Sequence, residues 1–178
     1  NAYAGHLKYS FQLRPHTVAD QAYIGAYQGI GVGYFNFGNP EELGNPLAVY
    51  LFQGGRIAQF SPRISLNYEW NFGASFGWKP YDEYDNPENQ IIGSKVNAYL
   101  NVNLYLKWAL SPKFDLMIGA TGSHFSNGNT QYPNSGLNTV DCKVGLVYNF
   151  NRRADELAHS WQHPIVPPFP RHVSYDLT

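Results

Sequence analysis

Residues 94–108 read SKVNAYLNVNLYLKW, and polar and apolar side chains alternate along most of this stretch. The even positions are mainly apolar, whereas the odd positions are Lys, Asn or Tyr. Because successive side chains of a β-strand point to opposite faces, a period of two predicts one strand with an apolar face and a polar face. At about 15 residues, this strand would be much longer than the usual roughly 5–6 residues.

The same alternation predicts six further strands. It is equally clear in residues 63–78, RISLNYEWNFGASFGW, where the apolar set again falls on the even positions. Weaker alternation predicts strands at 6–14, 22–37, 46–59, 113–126 and 136–150. No helical pattern of any length precedes residue 150, so an all-β fold is expected.

Long strands with one apolar face allow two architectures. A soluble sandwich or lipocalin-like ligand-binding barrel would turn the apolar face inward, whereas an antiparallel transmembrane β-barrel would turn it outward to lipid. The strand length favours the membrane barrel. Its wet interior would suit the polar face, which carries Glu69, Lys95 and Lys107. Trp78 and Trp108, near strand ends, fit the aromatic girdles of such barrels.

The composition excludes several classes of function. The 178 residues suffice for one domain, and a net charge of −1 gives no basic footprint for nucleic acid. The single cysteine, Cys142, excludes an internal disulfide, a cysteine zinc site and an iron–sulfur cluster. No run of 18 apolar residues predicts a transmembrane helix. A mean hydropathy of −0.39 does not exclude a membrane protein, because alternation averages the two faces.

The connections between strands alternate in length. Two are tight, FSPR at 60–63 and LSPK at 110–113, and three are longer, at 38–46, 79–93 and 127–135. Bacterial outer-membrane barrels have short periplasmic turns and long external loops. The strand at 113–126 is therefore expected to rise toward the cell surface and to carry His124 and Ser126 at its outer end.

The alternation also places three polar residues on the lipid-facing side. His124 and Ser126 share the even positions of the apolar residues in 113–126, and Asn138 shares those of the returning strand. A serine hydroxyl needs a base to become a nucleophile, a third group to orient that base, and donors for the oxyanion. A site that faces lipid suits a hydrolase whose substrate is itself a lipid.

Two short motifs in this region resemble those of a known family. The stretch His124-Phe125-Ser126-Asn127, followed by Pro133-Asn134-x-Gly136-Leu137, resembles the PagL-type lipid A 3-O-deacylases, which are eight-stranded outer-membrane barrels. The resemblance implies that His124 is the base, Ser126 the nucleophile and Asn134 an oxyanion donor. It also implies no cofactor, a location in the Gram-negative outer membrane, and lipid A of lipopolysaccharide or another outer-leaflet lipid as substrate.

One position departs from the family pattern. Where the family has a glutamate that completes the triad, this chain has Asn138, which is expected to orient His124 without a charge. Asp141 cannot replace it, because its odd position faces the lumen. Two functions therefore remain open. One is a deacylase that hydrolyses an ester-linked acyl chain, and the other is a catalytically silent barrel that acts as a structural or complex-assembly subunit.

The domain organisation follows from the strand directions. Residues 1–150 are expected to form about seven of about eight barrel strands, and the family's first upward strand is expected to precede residue 1. Residues 151–178 contain the segment PIVPPFP and are predicted to be a periplasmic tail or the start of a C-terminal continuation. This tail is also the expected binding site for any protein partner.

Overall fold

The structure is a computed structural model, and it describes residues 2–12 and 25–152. These residues form one curled antiparallel sheet in which neighbouring strands follow one another in the sequence. The strands are β1 (Tyr3–Gln12), β2 (Tyr27–Asn36), β3 (Gly44–Ser61), β4 (Ile64–Trp78), β5 (Val96–Ala109), β6 (Phe114–Ser126) and β7 (Leu137–Tyr148). The all-β fold and the seven strands predicted from the alternation are confirmed.

The connections between the strands define two ends of the sheet, which we call the loop end and the turn end. The loop end carries the connections 37–43, 79–95 and 127–136, and the turn end carries the tight turns at 62–63 and 110–113. β1 and β7 are the outer strands of the seven-stranded sheet. Among the described residues, no helix has the length and apolar character needed to cross a membrane.

The polar face of the sheet is buried and the apolar face is exposed, which is the reverse of the arrangement in a soluble protein. Polar side chains such as Asn67, Asn97 and Asn103 are buried on the concave side, whereas Leu51, Val102 and Leu104 are at least half exposed on the convex side. A soluble protein would bury the apolar face, because exposing so large an apolar surface to water is unfavourable. The soluble interpretation is therefore wrong, and the apolar wall faces outward as in a transmembrane barrel.

A charged cluster occupies the middle of the lumen. The Glu69 carboxylate, only 3% exposed, forms ion pairs with Lys8 and Lys143. Tyr27 donates a hydrogen bond to the same carboxylate over 3.1 Å. The partners come from β1, β2, β4 and β7, so the cluster joins strands that are not all neighbours in the sheet. It therefore holds the curled sheet together from within.

Aromatic side chains fill the lumen at the loop end. This aromatic plug consists of Phe35, Phe37, Trp78, Tyr99 and Phe125, whose ring centroids lie 5.1–6.0 Å apart in contacting pairs. Trp78 is 4% exposed, so the prediction that it belongs to a lipid-facing girdle is wrong. The cause is a break in the alternation, since Gly77 has a φ of 85° and the β3–β4 register shifts there. Trp108 does face outward and is 49% exposed.

The chain leaves β7 at the turn end and is anchored there. Arg152 forms an ion pair with the buried carboxylate of Asp115 and donates hydrogen bonds to the carbonyls of Ser111 and Pro112. These contacts hold the start of the tail against the β5–β6 turn. The predicted tail or continuation, beyond residue 152, lies outside the described residues and remains a prediction.

Candidate active site

His124 and Asn138 form a hydrogen-bonded pair on the outer wall. They are directly opposite each other in the β6–β7 ladder, and His124 Nδ1 lies 2.8 Å from Asn138 Oδ1. An amide oxygen only accepts, so the imidazole donates from Nδ1 and keeps its lone pair on Nε2. The expected approach of Asn138 to the histidine is therefore present in the structure. Asp141 lies opposite Thr121, whose side chain points into the lumen.

The inward neighbours of these residues fix their position. Phe125 lies between His124 and Ser126 in sequence, is fully buried and belongs to the aromatic plug. Leu137 precedes Asn138 and packs against the buried core cluster that contains Phe125. Because side chains alternate along a strand, a buried Phe125 forces both of its neighbours onto the outer wall. The plug thus anchors the outward-facing site from behind.

The site loop, residues 127–136, surrounds Ser126 with polar groups. Asn134 Nδ2 lies 3.2 Å from Ser126 Oγ, and the backbone amide of Gly128 donates to the same oxygen over 3.1 Å. The amide of Asn127 donates to Asn134 Oδ1 over 3.3 Å. Two N–H donors, from Asn134 and Gly128, therefore converge on Ser126 Oγ.

Ser126 and His124 stand beside each other without a direct hydrogen bond in the described part of the chain. Their Cα atoms are two positions apart on one strand, a spacing of roughly 6.7 Å at about 3.3–3.4 Å per residue. The Ser126 hydroxyl instead donates to Asn134 Oδ1 over 3.3 Å.

Two glycines of the site loop complete the geometry. Gly136 has a φ of 70°, and a Cβ there would lie 3.1 Å from Cε1 of His124. A side chain at this position would therefore crowd the imidazole. Gly128 has a φ of 65° and presents its amide to Ser126. Glycine in a short polar loop commonly signals a positive φ, but no pattern in the sequence indicates that Gly128 and Gly136 contact Ser126 and His124.

A shallow furrow leads from the site down the outer wall. Below His124 on β6 come two small residues, Gly122 and Ala120. Gly122 lies between Val102 on β5 and Val140 on β7, which are 65% and 85% exposed. A Cβ at Gly122 would have only the carbonyl of Thr139 nearby, at 3.9 Å, so the space above the backbone is open.

An apolar groove lies on the same wall, closer to the turn end. The groove has a volume of about 170 Å³ and is lined by Ile64, Leu106, Trp108, Leu116 and Ile118. Ile118 is the next outward residue after Ala120 on β6, so the groove begins one outward position below the furrow. Together they form an apolar track on the wall, suited in shape and polarity to a hydrocarbon chain.

One of three comparisons with known proteins gave a match. The family model of the lipid A 3-O-deacylases (PagL) matches residues 3–147. The chain belongs to this family. The match covers β1 to β6 completely and all of β7 except its last residue. It therefore includes His124, Ser126, Asn134 and Asn138. Comparison with curated proteins and with solved structures gave no match.

Position 138 is where the resemblance implies a glutamate. In the structure, the side-chain amide of Asn138 lies there at hydrogen-bond distance from His124. Among the described residues, no three His, Cys, Asp or Glu side chains gather closely enough to hold a metal ion.

Proposed function

We propose that this protein hydrolyses an ester-linked acyl chain of lipid A, or of another outer-leaflet lipid, in the bacterial outer membrane. The observation that carries the proposal is the His124–Asn138 hydrogen bond on the outward face, two residues from Ser126. Membership of the lipid A 3-O-deacylase family supports the same reaction. The catalytic roles of these residues are part of the proposal.

The position of the site supports a lipid substrate in the outer leaflet. His124 and Ser126 lie near the loop end of β6, and outer-membrane barrels carry their longer loops on the external side. At that height, the ester of a lipid molecule beside the wall would reach Ser126 from the membrane. Its acyl chain would extend along the furrow at Gly122 and Ala120 toward the middle of the membrane.

The first half of the reaction forms an acyl-enzyme. Ser126 Oγ attacks the ester carbonyl, and Nε2 of His124 takes the hydroxyl proton as the new C–O bond forms. Asn138 holds the Nδ1–H of the ring, so that Nε2 stays available as the base. The protonated ring then gives its proton to the leaving alkoxide, and the deacylated lipid departs as an alcohol.

The developing oxyanion needs donors that are already in place. In the structure, the side-chain amide of Asn134 and the backbone amide of Gly128 donate to Ser126 Oγ, and the backbone amide of Asn127 donates to Asn134 Oδ1. Removing one such donor typically costs about 10²–10³ in rate. These groups are therefore proposed to stabilise the tetrahedral intermediate in both halves of the reaction.

The second half regenerates the enzyme. Water attacks the acyl-Ser126 carbonyl while His124 Nε2 accepts a proton from it. Collapse of the tetrahedral intermediate returns the proton to Ser126 Oγ and releases the fatty acid. No cofactor takes part in this scheme.

Asn138 favours a second candidate function. An amide orients an imidazole but brings no charge to stabilise the imidazolium, and the corresponding change in serine proteases costs about 10⁴ in rate. A catalytically silent barrel that serves as a structural or assembly subunit would tolerate such a loss. In that case, residues 151–178 are the proposed segment for binding protein partners.

One experiment separates the two candidates. The protein, folded in detergent, is mixed with purified lipopolysaccharide, and loss of acyl chains is followed by mass spectrometry beside a Ser126→Ala control. Release of a fatty acid by the parent protein and not by the variant supports the hydrolase. If the parent releases none and Asn138→Glu restores release, the protein is a lapsed deacylase, and the silent barrel becomes the better description.

A further inference from the structure

The loop between β4 and β5 touches the site loop directly. Gly93 is buried against the backbone of Tyr132 and Pro133, and a Cβ at this glycine would lie 2.7–2.8 Å from their carbonyl atoms. Two residues after Pro133 in the site loop, Ser135 Oγ donates a hydrogen bond to the carbonyl of Gln90 over 3.1 Å. Two contacts therefore flank Asn134, which holds Ser126.

The β4–β5 loop, residues 79–95, is itself held firmly. Asn89 is 2% exposed, and its Nδ2 donates to the carbonyls of Glu42 and Lys79. Its Oδ1 accepts the backbone amides of Ile91 and Ile92, each over 3.0 Å. With four hydrogen bonds, the buried Asn89 side chain leaves none of its polar atoms unpaired, which favours a single conformation of the loop.

Apolar packing ties the same loop to the aromatic plug. Ile92 is fully buried in the core cluster that contains Phe125, and Ile91 packs against that cluster. The residue directly before Gly93 is thus locked to the group that anchors His124 and Ser126 from behind. The Gly93 backbone is consequently a fixed surface against which the site loop rests.

We propose that residues 79–95 act as a brace for the active site, and that Gly93 is the positioning residue through which this brace sets Asn134. The inference rests on the proposed esterase function for its catalytic consequence, but the contact itself does not. Only glycine fits at position 93, because any Cβ meets backbone atoms that cannot rotate away. A larger residue would displace Pro133 and with it the next residue, Asn134.

The test compares Gly93→Ala with Gly5→Ala in the full chain folded in detergent. Gly5 is a matched control, since a Cβ there would meet nothing within 4 Å. With lipopolysaccharide as substrate, Gly93→Ala is expected to lower kcat about 10-fold with little change in KM, because even small displacements of catalytic groups lower the rate. Gly5→Ala is expected to match the parent protein.

A double variant distinguishes an effect of Gly93 on the position of Asn134 from a general loss of folded structure. If Gly93 acts through Asn134, the alanine substitution should have almost no further effect in an Asn134→Ala background. A full 10-fold loss that persists in that background overturns the proposal, as does an unchanged kcat in Gly93→Ala alone.

An NMR measurement tests the brace independently of catalytic activity. In ¹⁵N-labelled protein, the side-chain amide signal of Asn134, assigned by its disappearance in Asn134→Ala, should move in Gly93→Ala and stay in place in Gly5→Ala. An unmoved signal overturns the brace whatever the activity. A parent protein without activity, but with this shift, would refute the esterase and leave the brace intact.

A milder variant covers the case in which Gly93→Ala does not fold. Ser135→Ala removes only the hydrogen bond to Gln90 and should also move the Asn134 signal. If both the signal and the Asn134-dependent activity are unchanged in Ser135→Ala, the brace is overturned.

Discussion

His124 and Asn138 face each other across the β6–β7 ladder, and 2.8 Å separates Nδ1 of the imidazole from Oδ1 of the amide. The amide selects the tautomer that a general base requires, with the proton on Nδ1 and the lone pair on Nε2. It cannot supply the negative charge that a carboxylate would bring to the imidazolium. In the proposed reaction, the pair would therefore have an oriented imidazole without a stabilising charge.

Asn138→Glu should accelerate acyl release, because a carboxylate at this position stabilises the imidazolium formed in each transition state. The gain in kcat is expected to reach about 10⁴-fold, or roughly 5.5 kcal/mol of barrier. Mass spectrometry of released fatty acid measures it. Asn138→Gln is the matched control, since it has the length of glutamate without the charge. Equal rates in the two variants would show that charge is not what the site lacks.

Gly122→Leu should block the furrow without harming the fold, because the space above this glycine is open. A leucine there would meet a long acyl chain but not a short one. The value of kcat/KM for a long-chain ester is expected to fall by roughly 10-fold or more. The value for an acetyl ester should remain unchanged. Parallel assays with the two chain lengths check this. A similar loss with both esters would mean that the furrow does not carry the acyl chain.

Glu69→Ala should destabilise the barrel, because it leaves Lys8 and Lys143 together in the lumen without their carboxylate. Breaking a buried ion pair from one side typically costs about 3–5 kcal/mol. The midpoint of urea unfolding in detergent gives the change. Glu88→Ala, in an exposed part of the β4–β5 loop, serves as the control and should leave the midpoint almost unchanged. Matching midpoints for the two variants would argue against a structural role for the cluster.

Phe125→Ala should weaken both the fold and the site. Removing a fully buried phenylalanine typically costs about 3–5 kcal/mol, and this ring also anchors His124 and Ser126 from the lumen side. Unfolding midpoint and acyl release should fall together. Tyr84→Ala, in a residue 87% exposed on the β4–β5 loop, is the comparison and should change neither. Full activity in a destabilised Phe125→Ala protein would show that the plug does not position the site.

Much of the fold could be predicted from single strands. A period of two is a local property, so residues 94–108 and 63–78 were sufficient to predict β5 and β4 to within two residues. The alternation also predicts, without knowledge of the strand pairing, that His124, Ser126 and Asn138 lie on the apolar face of the sheet. The register then brought His124 opposite Asn138, a relationship that the loop length alone did not fix.

Local alternation failed where glycine interrupted it. Trp78 has the parity of the lipid-facing residues, yet the positive φ of Gly77 and the register shift at the end of β3 turn it into the aromatic plug. A bulge changes which face a side chain occupies, and its effect depends on the partner strand. The sequence of β4 by itself therefore predicted the wrong side for this residue.

By itself, the sequence determined the strands, their two faces and the residue types of the site, because each depends on neighbours one or two positions apart. The tertiary structure alone decided what meets across the lumen and between loops. The Glu69 cluster joins residues from β1, β4 and β7, and the contact of Gly93 with Pro133 joins two separate loops. Such contacts depend on the curvature of the whole sheet and on loop packing, and no local pattern in the sequence records either.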